Sequence, residues 1–363
     1  MPTPWSLVIK SPSVVAVSRI GGLHPLLRLS LDAQRHGASS IVVDGANEEQ
    51  SAALRDARLR IPVLDRVPEN SVCVEIPANW VVHQKVFAEL SLVTRAAGET
   101  VAIPKDFCPN VPFSFPAVVV TDRISARRAE KYLFRSLRKP EDGWTSRWFN
   151  RYISLAISRW LAKTPIRPNQ LSLVILAIGL YGAWLASQGS YTTMLIGATL
   201  FQLQSILDGC DGELSRITYR GSLLGEWLDT VGDDVTNYSF FLGASLGLFK
   251  SHASPIYLYV GGIMLLSGFI GSGLEYRYLV RIGSGDLLKY PLSQATSKRE
   301  GKFGMIAPLF KRDTFVLLTW VAALFSVVGA ALVVFAVGAV GVLASVISTE
   351  IRMAKERKGS QTS

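Results

Sequence analysis

From about Leu171 onward the sequence is dominated by long apolar blocks, and these limit the chain more than any other feature it has. In hydrocarbon every backbone amide and carbonyl must find its partner within the protein, so such blocks fold as helices. Six can be marked, at roughly 170–187, 191–212, 228–249, 255–274, 314–329 and 331–351. Each approaches the ~20 residues that a helix needs to cross ~30 Å of hydrocarbon. Only Gly329 and its neighbours separate the last two. One uninterrupted helix from Thr314 to Ser348 would hold 35 residues, too many for a single crossing, so a helical hairpin is expected.

Charge then orients the segments. The net charge is +10, and its placement matters more than its size. The loop after the second segment carries Arg216 and Arg220. The loop after the fourth carries Arg277, Arg281, Lys289, Lys298, Arg299, Lys302, Lys311 and Arg312, and the tail carries Arg352, Lys355, Arg357 and Lys358. The alternate loops contribute only Lys250. Basic loops stay on the cytoplasmic side, so a multi-pass protein of the cell membrane with both termini cytoplasmic is expected. The basic excess borders the membrane rather than forming an aromatic-studded soluble face, so no nucleic-acid partner is expected. Cys73, Cys108 and Cys210 match neither a disulfide framework nor a zinc site. The first residues lack the basic start, apolar core and cleavage site of a signal peptide.

Four parts follow: a soluble region at 1–135, a linker with an amphipathic juxtamembrane helix at 136–166, a six-span region at 167–352 and a basic tail at 353–363. In the linker, Trp144, Trp148, Tyr152 and Leu155 recur at helical spacing, as do Arg147, Arg151 and Arg159. That pattern suits a helix lying among lipid headgroups. The alternative is a helix packed on the soluble region.

Between the second and third spans the chain gathers carboxylates. Asp208 and Asp211 are three residues apart and Asp229 and Asp233 are four apart. At ~100° per residue each pair shares one helix face, and a short connection lets the faces meet. Isolated carboxylates at a membrane cost several kcal/mol and like charges together cost more, so the group requires counter-charges. Divalent cations fit. Magnesium prefers oxygen ligands and shares them with substrate phosphates, whereas zinc would want His or Cys. Two ions ~4 Å apart could clamp a pyrophosphate. Gly212 and Gly225 lie where a ligand could approach the backbone closely, although glycine also serves helix packing in membranes.

These residues resemble the signature of the CDP-alcohol phosphotransferase family, D-x-x-D-G-x-x-A-R followed by eight residues and G-x-x-x-D-x-x-x-D. Here it reads Asp208, Asp211, Gly212, Ser215, Arg216, Gly225, Asp229 and Asp233, with every spacing kept and Ser215 in place of alanine. The resemblance implies that two magnesium or manganese ions are held by Asp208, Asp211, Asp229 and Asp233. It implies that Asp233 also takes a proton from an acceptor hydroxyl, whose oxygen attacks the β-phosphorus of a CDP-alcohol and releases CMP. "TPIRPNQLS" resembles the family's start of the first span. With it, Pro168, Asn169, Ser172, Gly212, Arg216, Ser222 and Gly225 are expected at the CDP part. Lys311 and Arg312, then Arg277, are candidates for an acceptor phosphate; their alternative role is setting topology. Asp234 points ~100° from Asp233 and is expected to make a local structural contact. The resemblance also implies a role in phospholipid-type biosynthesis, a homodimer, and a polyol or polyol-phosphate acceptor such as inositol phosphate.

In the soluble region short apolar runs, "SLVIK", "SSIVVDG", "IPVL", "SVCVEI", "TVAI" and "PAVVVTD", alternate with helical stretches. Such alternation predicts an α/β domain with a mostly parallel sheet. Its order resembles a nucleotidyltransferase, as in proteins that fuse an inositol-phosphate cytidylyltransferase to a phosphotransferase. The glycine-rich phosphate loop is absent and Asn79 stands where that family has a metal-binding aspartate, so an inactive relic is expected. Two other readings compete for the whole chain: a cation transporter with an acidic membrane-face site, and an inactive membrane anchor for the soluble domain. The aspartates cluster at one membrane face, which disfavours the transporter. Their set is intact, which disfavours the anchor.

Overall fold

A computed structural model describes residues 4–10, 19–83, 86–88, 98–103, 117–138, 145–298 and 312–361. The chain divides into two compact units. The first comprises 1–140, 159–165 and 214–220; the second comprises 141–158, 166–213 and 221–363.

The first unit is built on a parallel sheet. Its elements are β1 (Trp5–Lys10), α1 (Pro25–Arg35), β2 (Ser40–Asp44), α2 (Glu48–Ala53), β3 (Val63–Leu64), β4 (Val72–Pro77), β5 (Trp80–Val81), β6 (Thr100–Ala102), β7 (Val118–Val119) and α3 (Arg123–Arg135). Five strands lie in the order β3-β2-β1-β4-β6. β1 is central and parallel to both neighbours, with Leu7 opposite Ile41 on one side and Val74 on the other. A strand covered on both faces needs an unbroken apolar run, which "SLVIK" supplies. Leu7, Ile9, Ile41 and Ile76 are fully buried with Leu26 of α1 and Phe87. β5 and β7 pair antiparallel. The expected α/β class with a mostly parallel sheet is thus present.

Helix ends follow from local chemistry. His24 caps α1, its Nδ1 accepting from the Leu26 amide, and Pro25 occupies the first turn, where its missing N–H is no loss. Asp122 and Ser125 form a reciprocal capping box at the start of α3. The segment Leu214–Arg220 belongs to this unit and is held by polar contacts. Arg28 donates to the carbonyls of Ile217 and Ile20. The Tyr219 hydroxyl donates to Asp32 at 2.6 Å, and the Arg35 guanidinium lies 4.3 Å from the centre of the same ring.

The second unit is helical. The segment before the first apolar block runs through one turn of π-helix (Ser146–Asn150) into α4 (Arg151–Leu161). Then come α5 (Pro168–Ala186), α6 (Tyr191–Thr218), α7 (Leu223–His252), α8 (Ile256–Ile282), α9 (Pro291–Lys298), α10 (Arg312–Leu324) and α11 (Val328–Gln361). Its core stacks Phe201 on Phe240, ring centres 4.2 Å apart, with Phe241, Phe315 and Phe335 around them. Two glycines on α7 make this packing possible. A Cβ on Gly243 would stand 2.2 Å from the Ala183 carbonyl oxygen, and one on Gly247 would stand 2.1 Å from that of Ala186. Small residues let backbones approach closely where lipid gives no hydrophobic drive to associate.

Among the described residues, Pro168–Ala186, Ile256–Ile282 and Val328–Glu356 are long and apolar enough to cross a membrane, with mean hydropathies of 1.5, 1.5 and 2.6. The second and third expected segments, 191–212 and 228–249, lie within α6 and α7, the helices that carry the aspartates. The fifth differs most from expectation. α10 has 13 residues, about 20 Å of helix. The hairpin breaks ahead of Gly329, at Phe325–Val327, where Ser326 adopts φ +58° and Gly329 has already entered α11.

The juxtamembrane helix divides the residues singled out by spacing. Trp148, Tyr152 and Trp160 are exposed, as a headgroup-facing set would be, but Leu155 and Arg151 turn inward. Trp144 lies outside the described residues.

Candidate active site

α6 presents Asp208 and Asp211, and α7 presents Asp229 and Asp233. All four line one cleft, together with Ser172, Ile175 and Leu176 of α5 and Gln204, Leu228 and Gly232. Its cavity volume is about 10 Å³, room for one water-sized body. Both aspartate pairs thus line the same cleft, each from its own helix.

Each carboxylate has its own surroundings. Asp211 is 5% exposed and accepts from the Ser172 hydroxyl and from the amide of Gly212. The Arg312 guanidinium, at the first turn of α10, reaches between the helices. Its Nη1 lies 2.6 Å from Asp233 Oδ1 and 3.1 Å from Asp208 Oδ2. Its remaining nitrogens donate to Gln204 at 2.7 Å and to Asn237 at 3.2 Å. Among the described residues no three acidic, His or Cys side chains close on a single coordination point. Arg312 stands between two of the four carboxylates, Asp208 and Asp233.

This arrangement tests the fit of a divalent cation. One guanidinium offsets one carboxylate charge of four, so an excess of negative charge remains in a cleft of oxygen donors without His or Cys. Hard cations of the magnesium type suit that donor set. The oxygens also already gather around a positive group, since the arginine bridges a residue of α6 to a residue of α7.

The residues expected at the nucleotide divide into groups. Ser222 caps α7, accepting from the Gly225 amide at 3.0 Å. A Cβ on Gly225 would stand 3.0 Å from Asn169 Oδ1, so the absence of a side chain there lets Asn169 approach. Pro168 opens α5 one turn before Ser172. Asn169, Ser222 and Gly225 are thus neighbours, and Ser172 joins them to the aspartates. Arg216 sits on the last turn of α6, in the first unit. Of the acceptor-phosphate candidates, Arg312 pairs with Asp208 and Asp233, two of the aspartates that line the cleft. Arg277 instead pairs with Glu350 of α11 at 2.8 Å and does not line the cleft. Lys311 lies outside the described residues.

Sequence reasoning passed over Glu213, which directly follows Gly212 of the motif. It is fully buried; its Oε1 accepts from Arg151 at 2.6 Å and Ser154 at 2.8 Å, and its Oε2 from Ser158 at 2.7 Å. Arg151, Ser154 and Ser158 recur at helical spacing as a polar stripe along α4, and that stripe was the available signal. Gln204 and Asn237, the other partners of Arg312, had no such signal. Asp234 makes the structural contact expected of it, accepting from Ser272 and Tyr276 of α8.

The family is shown by one match. The profile described as CDP-alcohol phosphatidyltransferase matches residues 166–347, half of the chain, and the chain belongs to that family. Among curated proteins it is similar to the Bifunctional IPC transferase and DIPP synthase of Aquifex aeolicus, 30% identical over 55% of this chain and 44% of the relative. The protein of the same name from Archaeoglobus fulgidus is 27% identical over 58% of this chain and 41% of that one. That of Thermococcus kodakarensis is 33% identical over 42% of this chain and 34% of that one. The chain thus spans less than half the length of the curated relatives it matches. Among solved structures it is similar to the phosphatidylinositol phosphate synthase of Mycobacterium tuberculosis with CDP-DAG bound. That likeness has 18% identity and a TM-score of 0.42, over 55% of this chain and 93% of the other. The family is generally metal-dependent.

Proposed function

We propose that this chain is a membrane CDP-alcohol phosphotransferase that moves a substituted phosphate from a CDP-alcohol to an acceptor hydroxyl. The acceptor oxygen forms a bond to the β-phosphorus, the bond from that phosphorus to the CMP oxygen breaks, and CMP leaves. The observation that carries the reading is the meeting of Asp208 and Asp211 with Asp229 and Asp233 in one cleft beside Ser172.

In this reading Asp208, Asp211, Asp229 and Asp233 hold two divalent ions, magnesium or manganese. When bound, such ions neutralise the diphosphate and the oxygen that leaves. Asp233 accepts the proton from the acceptor hydroxyl as the new bond forms. Ser172 orients Asp211 by donating to it. Pro168, Asn169, Gly212, Arg216, Ser222 and Gly225 surround the CDP part. Arg312, next to the base, is the leading residue for a phosphate on the acceptor, with Lys311 beside it in sequence. Arg277 is the weaker candidate because Glu350 engages it.

The acceptor class we favour is a polyol phosphate such as an inositol phosphate, and the donor is either CDP-diacylglycerol or a soluble CDP-alcohol. We favour a chain that crosses the cell membrane six times with both termini cytoplasmic, an arrangement the loop charges support, and that works as a homodimer. The α/β unit is a relic without cytidylyl transfer, because Asn79 is a neutral and poor magnesium ligand. Purified protein with magnesium and a panel of CDP-alcohols and polyol phosphates tests the reading. CMP is expected only when a matching pair is present. No CMP from any pair would instead favour the membrane-anchor alternative.

A further inference from the structure

We propose that Gln204 and Asn237 are positioning residues, which keep the Arg312 guanidinium beside Asp208 and Asp233 while those aspartates hold divalent ions. The proposal rests on the two-ion reading of the four aspartates and adds to it a role for two neutral amides.

Among the described residues the contacts of Arg312 divide by nitrogen. Nη1 meets the charged oxygens, 3.1 Å from Asp208 Oδ2 and 2.6 Å from Asp233 Oδ1. The other two nitrogens meet neutral ones. Nη2 donates to Gln204 Oε1 at 2.7 Å and to the Thr236 hydroxyl at 3.4 Å, and Nε donates to Asn237 Oδ1 at 3.2 Å. A guanidinium is a rigid planar fork, so holding two of its nitrogens fixes where the third points. Asp208 and Asp233 cannot engage a divalent ion and Nη1 equally, because cations that share a carboxylate repel each other. The amides carry no net charge and keep Nη2 and Nε when the aspartates change partners. Nη1 is then the nitrogen left for an anionic oxygen of the acceptor.

The same two helices supply both sets of oxygens. Gln204 lies four residues before Asp208 on α6, and Asn237 four after Asp233 on α7, so each amide is about one turn from the carboxylate it accompanies. Gln204 is 1% exposed and Thr236 is fully buried. α5 leaves room for them, since a Cβ on Gly179 would stand 2.6 Å from Thr236 Cγ2 and 3.2 Å from Gln204 Cγ. A buried amide is costly unless it is hydrogen-bonded, so Gln204 is explained by its bond to Arg312 and not by filling space.

The test is the magnesium dependence of the unfolding midpoint of the full chain in neutral detergent. Gln204→Met with Asn237→Leu is placed in the natural protein and, separately, in Arg312→Gln. Without the amides the guanidinium can swing away as magnesium binds, which removes a repulsion between cations. Magnesium binding should tighten about threefold, within the worth of one neutral hydrogen bond, although neither substitution alters a charge. In Arg312→Gln the same pair of changes should add nothing, because no guanidinium is left to hold. Asn237→Leu alone, at a half-buried position, should act in the same direction if the double variant does not fold. Weaker or unchanged magnesium binding in the double variant overturns the proposal, and so does a tightening that recurs in Arg312→Gln. In steady-state kinetics the KM for a phosphorylated acceptor should rise more than kcat falls, and an acceptor KM that does not move also overturns it. If no donor and acceptor pair releases CMP, the phosphotransferase reading fails while the magnesium measurement still decides the role of the amides. If magnesium shifts no midpoint, the natural protein's included, the two-ion reading fails and the proposal with it.

Discussion

Arg312 Nη1 lies 2.6 Å from Asp233 Oδ1, so the cation that opens α10 is paired with the last aspartate of the family signature. Its second contact, to Asp208, makes it a competitor for the position that divalent cations take in the proposed reaction. Two opposite effects follow for Arg312→Gln. Magnesium binding should tighten about tenfold, because a positive charge leaves the cleft, while the KM for a phosphorylated acceptor should rise. Magnesium titration of the unfolding midpoint reads the first and steady-state kinetics the second. Unchanged or weaker magnesium binding would count against a shared position.

Glu213 and Arg151 form a buried ion pair, with the two side chains 0% and 10% exposed. Breaking such a pair from one side costs about 3–5 kcal/mol, since the other charge is left uncompensated. Glu213→Gln should lose about that much in unfolding experiments. Adding Arg151→Met should recover much of it, because the orphaned charge is then gone. A double variant no more stable than the single one would show that the pair matters through something other than charge.

Gly247→Ala places a methyl group against the Ala186 carbonyl and should destabilise the helical unit by about 1–3 kcal/mol, the usual cost of overpacking. Gly262→Ala is the matched control, because a Cβ there meets nothing within 4 Å. Equal unfolding midpoints for the two variants would contradict the close α5–α7 approach.

The first unit should carry a pH signature from Asp32. Burial is the main cause that lifts its carboxyl from 3.8 to about 6, against the lowering effects of the Tyr219 hydroxyl, Arg28, Arg35 and His36. The folded state then holds the proton more tightly than the unfolded one. Its contribution is full below about 3.8 and is lost as pH rises through about 6. Relative to Asp32→Asn, which cannot titrate, the natural protein should lose on the order of 2–3 kcal/mol between pH 4 and pH 7. A difference that stays constant over that window would remove Asp32 from this role.

Much of this was legible in the sequence because two periodicities carry it. The unbroken apolar run of β1 marks a strand buried on both faces, and three- and four-residue spacing put Asp208, Asp211, Asp229 and Asp233 on meeting faces. What stayed hidden depends on distance across the fold. Nothing local tells that Arg312 reaches Asp208, 104 residues earlier, or that Glu350 takes Arg277 away from other partners. Charge counts bear on which side a loop is expected to take, not on individual ion pairs, because pairing depends on helix rotation. Gly329 misled slightly for a related reason. The hairpin breaks where Ser326 takes a left-handed conformation, and α11 begins before the glycine.

The central claim is best tested by CMP release from a matched CDP-alcohol and acceptor, comparing the natural protein with Asp233→Asn at saturating magnesium. The neutral amide keeps the size of the side chain but cannot take a proton from the acceptor hydroxyl. Turnover should fall by at least about a hundredfold, the lower end of what a general base contributes, while CDP-alcohol binding persists. An Asp233→Asn enzyme that releases CMP at close to the natural rate would contradict the account.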